Sequence, residues 1–357
     1  MTEAKATHRN VADGQGGPDV RQIPFGAPVL GAEERQAVLA VLDGPILTHG
    51  PKCAEFESAF AEFVGGGHAL AVSSCAGALH LAYFYLGIGP GDEVIVPAQT
   101  HVATAHAVEI CGARPVFVDC EPDTGNIDVE AIERAITERT RAISVVHFLG
   151  APVRMGQVMK IALARGLFVV EDCALAVGTK VGGVHAGLVG DVGCFSFYPV
   201  KHMTTGEGGM FVTRSSEIAA KVARQRAFGV DRHMAARTMP GVYDVDILGL
   251  NYRMSELQAA LGIEQLKRMP AFLAARQRNF HTLSAALRGI AGVKILQARD
   301  GPDQSSYYCL SAVLEDSLAR ERTEIVRRLK QQGVGTSVYY PHPVPLLTYY
   351  RRKYGAG

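Results

Sequence analysis

The chain has 357 residues, of which 48% are hydrophobic and 20% charged. This composition can bury a large core and excludes the low-hydropathy signature of a disordered protein, and the length predicts roughly two domains. Thirty-six basic residues against 35 acidic ones leave a formal charge of +1. The chain therefore lacks the positive excess that nucleic-acid binding requires, and no nucleic-acid partner is expected.

The cysteines and the apolar runs indicate the compartment. Seven cysteines form no CxxC pair, and an odd number leaves at least one thiol unpaired, so neither a disulfide framework nor a metal cluster is indicated. No apolar run reaches the roughly 18 residues of a membrane span, and the polar N-terminus lacks a signal-peptide core. We therefore expect a cytoplasmic protein with no membrane partner and with a loose leader over residues 1–22.

The first predicted element is an amphipathic helix over Gly31 to Asp43, with acids in its opening turn. A short strand at Leu70 leads into a helix that ends at Gly87. Five further apolar runs, several of them separated by helical segments, predict strands at Glu93–Pro97, Pro115–Asp119, Ala142–Phe148, Leu167–Asp172 and Cys194–Pro199. Such alternation is typical of a mostly parallel sheet covered by helices, so we predict a large α/β domain over residues 23–265.

The pattern changes past Leu266. A long helix over Ala271 to Arg288, strands at VKIL and YYCLSAVL, a helix over Leu318 to Gln332 and a strand at VGTSVYY are predicted in turn. Together they predict a smaller α+β domain over residues 266–357.

Three segments at predicted strand ends carry candidate site residues, because ligands of parallel sheets bind there. The turn from Ser73 to Gly77 opens a helix, and its backbone amides suit a phosphate, although tight packing is the more common reason for small residues at such a turn. Asp172 lies at the end of a predicted buried strand. Two interpretations are open for it: a carboxylate of the binding site, or a helix cap or surface acid. Lys201 precedes a glycine-rich turn; in a semi-buried loop its pKa falls and it can form a Schiff base, whereas an ordinary surface lysine stays solvated.

Taken in chain order on a parallel sheet, these three pieces match what pyridoxal 5'-phosphate (PLP) needs. The turn would anchor its phosphate, the carboxylate would keep its ring nitrogen protonated, and the lysine would bind its aldehyde. No G-x-G-x-x-G follows the first strand, which argues against a dinucleotide-dependent oxidoreductase.

Five blocks then carry a resemblance: ILTHGPKCAEFESAFAEFVG, VIVPAQTHVATAHAVEICGARPVFVDCEPDTGNID, VVEDCALAVG, SFYPVKHMTTGEGGMFVT and GLNYRMSELQAALGIEQL. From about Ile23 to Tyr354 the chain resembles the DegT/DnrJ/EryC1/StrS family of sugar aminotransferases. The resemblance implies the aspartate-aminotransferase-like PLP fold type I. It also implies amino transfer from an amino acid, by family habit L-glutamate, to a 3- or 4-keto, usually deoxy, sugar nucleotide for glycan or secondary-metabolite biosynthesis.

The resemblance implies roles for seven positions. Lys201 matches the lysine that binds the cofactor, and Asp172 the partner of its ring nitrogen. Ser196 matches the family's phosphate-binding serine, and Cys75 and Ala76 occupy the turn whose amides hold the same phosphate.

Two further positions, and two loosely assigned segments, complete the implied site. His101 falls where the family stacks a ring on the cofactor, although a buried structural histidine fits the pattern as well. Asn251 matches an asparagine that reaches the phosphate from the neighbouring subunit, so a homodimer with shared active sites is implied. Thr48 and the segment from Tyr339 to His342 are sugar-side candidates.

The chain departs from the family at three places. Cys75-Ala76 replaces Gly-Thr in the phosphate turn, which loses a hydroxyl but keeps the amides. Leu175 stands where Gln or His lies near the cofactor's phenolic oxygen, so one hydrogen bond is missing. The C-terminus is short, so a truncated small domain is expected. Two alternatives stay open: a PLP-dependent sugar dehydratase, whose family members replace the lysine with histidine, and a catalytically idle PLP-binding relative.

Overall fold

The structure, a computed structural model, describes residues 20–231, 239 and 241–355. The expected leader over residues 1–22 lies outside these residues except for its last three. The first nine strands are β1 His68–Val72, β2 Glu93–Pro97, β3 Arg114–Val118, β4 Thr140–Val146, β5 Phe168–Asp172, β6 Lys180–Val181, β7 Val184–His185, β8 Val192–Ser196 and β9 Gly209–Thr213. Seven of them form one sheet in the order β1-β9-β8-β5-β4-β2-β3.

The sheet is mostly parallel, which confirms the predicted fold class. β3, β2, β4, β5 and β8 pair in parallel, and only β9 runs against its neighbours β1 and β8. Strands of this kind are buried on both faces. In β9, Phe211 packs with Leu79 on one face, while Met210 and Val212 pack with Phe60 on the other.

Helices cover both faces of the sheet. In this part of the chain they are α1 Ala32–Leu42, α2 Pro51–Val64, α3 Cys75–Leu86, α4 Val102–Ile110, α5 Val129–Ala135, α6 Met155–Arg165 and α7 Ser216–Gln225. The sequence interpretation did not include α2, although its signals are local. Pro51 stands at its first turn, Gly65 ends it at φ +93°, and Phe56, Phe60 and Val64 form its buried stripe.

The predicted helix start at Ala271 is wrong, because α8 extends over Glu256–Leu287 with Pro270 inside it. Ser255 and Gln258 form a capping box at its true beginning. Proline usually ends a helix by removing a backbone hydrogen bond, but packing of the first half of α8 on α1 and α2 outweighs that loss. The expected domain boundary near residue 265 falls inside this helix, and the division into two domains stays a prediction.

The remaining elements are β10 Val293–Ile295, β11 Ala312–Leu314, α9 Asp316–Arg320, α10 Arg322–Gln331 and α11 Thr348–Tyr354. The helix predicted over Leu318–Gln332 is thus divided at Glu321. The strand predicted at VGTSVYY does not form, and the segment makes one isolated bridge, between Val334 and Ile23. Among the described helices, none is long and apolar enough to span a bilayer.

Candidate active site

Three strands that bear predicted site residues end at one edge of the sheet. β1 and β8 are both antiparallel to β9, so they run in the same direction, and β5 is parallel to β8. Their last residues, Val72, Asp172 and Ser196, therefore lie at the same edge. Gly209, the first residue of β9, pairs with Val72 on one side and with Ser196 on the other. Strand direction thus brings together the phosphate turn, the acid and the serine.

The turn after β1 presents unpaired amides at the start of α3. Ser74 is the N-cap, and its Oγ accepts a hydrogen bond from the Gly77 amide at 3.0 Å. Cys75 and Ala76 are the first two helical residues, whose amides have no intrahelical acceptor. A Cβ on Gly209 would lie 2.6 Å from the Cys75 nitrogen, so only glycine lets β9 approach the turn this closely.

Side chains around the turn suit an anion. The Cys75 thiol donates to the Cys194 carbonyl at 3.4 Å, and burial raises its pKa well above the ordinary value, so it stays neutral. Ser196 is 7% exposed, and its Oγ accepts from the Tyr198 amide at 3.4 Å, which leaves its proton available. Two amides and one hydroxyl at a helix N-terminus are a donor set that fits a phosphate group.

The adjacent acids Glu171 and Asp172 point to opposite faces of β5 and have different environments. Asp172 is 4% exposed; its Oδ1 accepts from the Ala174 amide at 3.0 Å and its Oδ2 from the Thr104 hydroxyl at 2.8 Å. Each carboxylate oxygen of Asp172 can accept a further hydrogen bond, so the group fits a protonated ring nitrogen. Asp172 is thus distinguished from Glu171 as the acid at the site edge.

Glu171 belongs to a buried pair with His147. Burial acts to raise the pKa of Glu171, but the hydrogen bond from His147 at 2.9 Å and two backbone amides outweigh it, and the pKa is lowered. The ligand atoms of both residues and of Cys173 lie within 4.8 Å of one another. His147 Nδ1, however, accepts from the Val153 amide. Because both ring nitrogens of His147 already form hydrogen bonds, the His147–Glu171 pair has a structural role and links the ends of β4 and β5.

Lys201 lies in the loop between β8 and β9, partly buried, with its Nζ 5.5 Å from the centroid of the Tyr308 ring. Burial lowers its pKa, and the negative charge of Asp172 opposes this without reversing it. Within the described residues, no carboxylate forms an ion pair with this ammonium group. Lys201 is therefore a poorly hydrated amine rather than a solvated surface lysine.

The loop that carries Lys201 is firmly held. The Phe197 amide donates to the Gly208 carbonyl at 3.0 Å, which closes the base of the loop. The Thr204 hydroxyl donates to the Phe197 carbonyl at 2.9 Å, and the Lys201 amide donates to Tyr198 at the same distance. These bonds fix the direction in which the lysine leaves the backbone.

An aromatic wall faces the lysine and includes part of the predicted sugar-side segment. Tyr340 lies edge-on to His101 at 5.9 Å between centroids, and the hydroxyls of Tyr339 and Tyr308 are 2.8 Å apart. His101 caps α4 through its Nδ1, which accepts from the Ala103 amide at 3.2 Å. Burial, and to a smaller extent the charge of Lys201, lower the pKa of His101 against the attraction of Asp172. A neutral ring at this place suits stacking on a cofactor.

Asn251 and Thr48 are both exposed at the surface of the chain. The side-chain oxygen of Asn251 accepts from Arg253 Nε at 2.9 Å, and the neighbouring Tyr252 carbonyl accepts from the Ser73 amide at 2.8 Å. Thr48 is exposed in a loop whose Leu47 carbonyl accepts from Glu256. Asn251 therefore stands beside the phosphate turn but at the surface of the chain.

Two residues at the site escaped the sequence interpretation. They are Thr104 and Tyr308, both described above. Only Thr104 had a signal in the sequence, because polar residues follow the end of β2 at the spacing of one helical turn. Leu175 was expected to leave a missing hydrogen bond. Its side chain is 2% exposed and lies in an apolar cluster with Phe148 and Tyr308, and the missing hydrogen bond to the cofactor stays a prediction.

A model of the DegT/DnrJ/EryC1/StrS aminotransferase family matches residues 28–357. The chain belongs to this family. GDP-perosamine synthase of Caulobacter vibrioides is 38% identical over 335 residues, which cover 93% of this chain and 88% of that protein. The resemblance drawn from the five sequence blocks is thereby confirmed.

Solved structures agree with the assignment. PseC of Helicobacter pylori, an aminotransferase involved in the biosynthesis of pseudoaminic acid, has a TM-score of 0.88 at 29% identity, covering 94% of this chain and 89% of that one. DesV of S. venezuelae, solved in complex with a ketimine intermediate, has a TM-score of 0.83 at 33% identity, covering 93% and 88%. The chain is a PLP-dependent aminotransferase of the sugar-modifying type with fold type I, and its family implies the cofactor.

Proposed function

We propose that this enzyme moves an amino group from L-glutamate to a 3- or 4-keto sugar nucleotide, with PLP bound at Lys201. The observation that carries the proposal is the partly buried Lys201 amine at the edge where Asp172 and the amides of Cys75 and Ala76 also lie. GDP-perosamine synthase, a relative with a nucleotide-linked product in its name, supports the substrate class.

Each residue of this chain would have a distinct task toward the cofactor. The Cys75 and Ala76 amides and the Ser196 hydroxyl would hold its phosphate, Asp172 would pair with its ring nitrogen, and His101 would pack on its ring. When bound, PLP supplies an electron sink for the charge left on the donor's α-carbon. Lys201 Nζ would take up the α-proton as a general base, which requires the neutral amine that a lowered pKa favours.

We infer in addition that two copies share their active sites in the cytoplasm. Asn251 stands at the surface beside the phosphate turn, and the apolar side chains near it are open to solvent: Leu248 is 74% exposed and Phe228 49%. Burying such groups against a second copy would be favourable, at about 25 cal/mol per Å². Asn251 would then lie against the phosphate in the partner's site.

The test is a panel of GDP-, UDP- and dTDP-linked keto sugars with L-glutamate, followed by mass spectrometry and by 2-oxoglutarate formation. The proposal expects one sugar to gain nitrogen, and Lys201→Ala to abolish turnover. Lys221→Ala is the matched control, since this exposed lysine packs on Tyr85 far from the site edge. Normal turnover by Lys201→Ala would refute the assignment.

The same panel distinguishes the alternatives. A product that loses oxygen without gaining nitrogen would indicate a dehydratase, for which Lys201 in place of histidine is unfavourable. Cofactor binding without any conversion by amino acids would indicate an idle relative.

A further inference from the structure

The carboxylate of Asp172 is oriented by residues that lie far from it in the sequence. Its Oδ2 accepts the Thr104 hydroxyl at 2.8 Å, and its Oδ1 accepts the Ala174 amide at 3.0 Å. The Ala174 amide is a backbone group directly after β5, so it is present whichever residue occupies position 172. The hydroxyl comes from α4, so its contact depends on how this helix is placed against β5.

The Thr104 hydroxyl has a defined direction. It carries a single proton, which it donates to Asp172, so its contact with the Thr100 hydroxyl at 2.8 Å makes Thr100 the donor to Thr104. Both threonines are buried, at 2% and 0% exposure for Thr100 and Thr104. The two hydroxyls thus form a chain whose protons point toward the carboxylate, an arrangement that strengthens each bond.

We infer that Thr104, supported by Thr100, is a positioning residue that orients the Asp172 carboxylate and stabilises its negative charge toward the ring nitrogen of the cofactor. This inference rests on the proposed function. Without the Thr104 hydroxyl, Oδ2 loses a charged hydrogen bond in a dry environment, and the carboxylate can rotate about its last bond. The interaction with the protonated nitrogen then weakens, while phosphate binding on the other side of the site is unaffected.

The experiment measures this interaction by comparing two cofactors. PLP and its carbocyclic analogue, in which C–H replaces the ring nitrogen, are titrated into the cofactor-free full-length protein, and the two dissociation constants are read from absorbance. The wild type is expected to prefer PLP. Thr104→Val is expected to reduce this preference by about 10- to 100-fold, the range for one hydrogen bond to a charged group, with affinity for the analogue unchanged. Thr100→Val should reduce the preference by a smaller factor.

Two variants serve as controls. Thr104→Ser keeps the hydroxyl and should keep the preference. Thr213→Val makes the same substitution at a threonine that is 1% exposed and donates to the Asp191 carbonyl at 2.8 Å, at the opposite edge of the sheet. It should change neither constant selectively. If Thr104→Val fails to fold, Thr104→Ala removes the same hydroxyl with less crowding and decides the same question.

The outcomes separate the inference from the function beneath it. A wild type that binds PLP with no preference over the analogue overturns the role of Asp172, and with it the proposed cofactor site. A wild type that prefers PLP, with Thr104→Val and Thr104→Ala showing the same preference, overturns the positioning role alone. A purely structural role for Thr104 would weaken binding of both cofactors equally, which also overturns the inference.

Discussion

Replacing Gly209 with alanine would place a methyl group between β9 and the turn that opens α3. The new Cβ would lie 2.5 Å from the Ser74 carbonyl carbon, 2.6 Å from the Cys75 nitrogen and 2.7 Å from the Phe195 oxygen. All three are backbone atoms, so no flexible side chain can move aside. Since favourable carbon contacts begin near 3.5 Å, the strand and the turn must separate by about 1 Å.

This separation has two costs. Overpacking a tight interior costs about 1–3 kcal/mol, and we expect the upper end because both sides of the contact are backbone. The Cys75 amide also moves away from the phosphate position. Losing one hydrogen bond to a charged group weakens binding by about 10- to 100-fold, so Gly209→Ala should lower PLP affinity by that factor.

The assay is an absorbance titration with PLP, together with the denaturant midpoint of the cofactor-free protein. Gly156→Ala is the control, because a Cβ on this exposed glycine of α6 would meet nothing within 4 Å. It should raise the midpoint slightly, since alanine is the better helix former by up to about 1 kcal/mol. Wild-type affinity and midpoint in Gly209→Ala would refute the close contact between β9 and the phosphate turn.

Two further predictions concern pH. Burial acts to raise the pKa of Glu34, but hydrogen bonds, led by that from Arg268, outweigh it and lower the pKa to about 2. A depressed carboxyl pKa stabilises the fold above the unfolded value near 4.5, and this stability is lost as pH falls toward 2. The Arg268 side chain is 33% exposed, so solvent screens its interaction with Glu34. Glu34→Gln should therefore lower the free energy of unfolding at pH 7 by about 1–2 kcal/mol. Equal acid-unfolding midpoints for the variant and the wild type would contradict this. Burial lowers the pKa of Lys201, so the folded state binds fewer protons than the unfolded state and stability rises with pH toward the ordinary lysine value. Cofactor-free Lys201→Met should therefore unfold at higher urea than wild type at pH 7, with a smaller difference at pH 9.5, and a constant difference would show that the charge of Lys201 is not the cause.

Local patterns account for what the sequence predicted well. Most strands of the sheet were placed within two residues, because a run of apolar residues fully buried on both faces is a local signal. The strand ends then identified the turn at Cys75 and the acid Asp172 as neighbours, since parallel strands end at one edge, whereas Ser196 was implied only by the resemblance. Their roles toward PLP, like those of Lys201, His101 and Asn251, stay predictions.

Patterns failed where packing overrides local preference. The sequence pattern predicted that a helix begins at Ala271, directly after Pro270, yet α8 runs through this proline because its first half packs closely on α2. Gly262 allows this approach, since a Cβ there would lie 2.6 Å from the Phe56 ring. The segment VGTSVYY has the composition of a strand, but no strand forms there. Tyr339 packs on Tyr308 and on Tyr340 in the aromatic wall instead.

By itself, the sequence determined the layered fold, the family and the groups that end at the site edge, since each depends on residues close together in the chain. Only the tertiary structure decided how those groups are held. The Thr104 hydroxyl on Asp172 spans 68 positions, and the contact of Lys201 with Tyr308 also joins distant segments. Such contacts depend on how helices and loops settle against the sheet, which no short stretch of residues specifies.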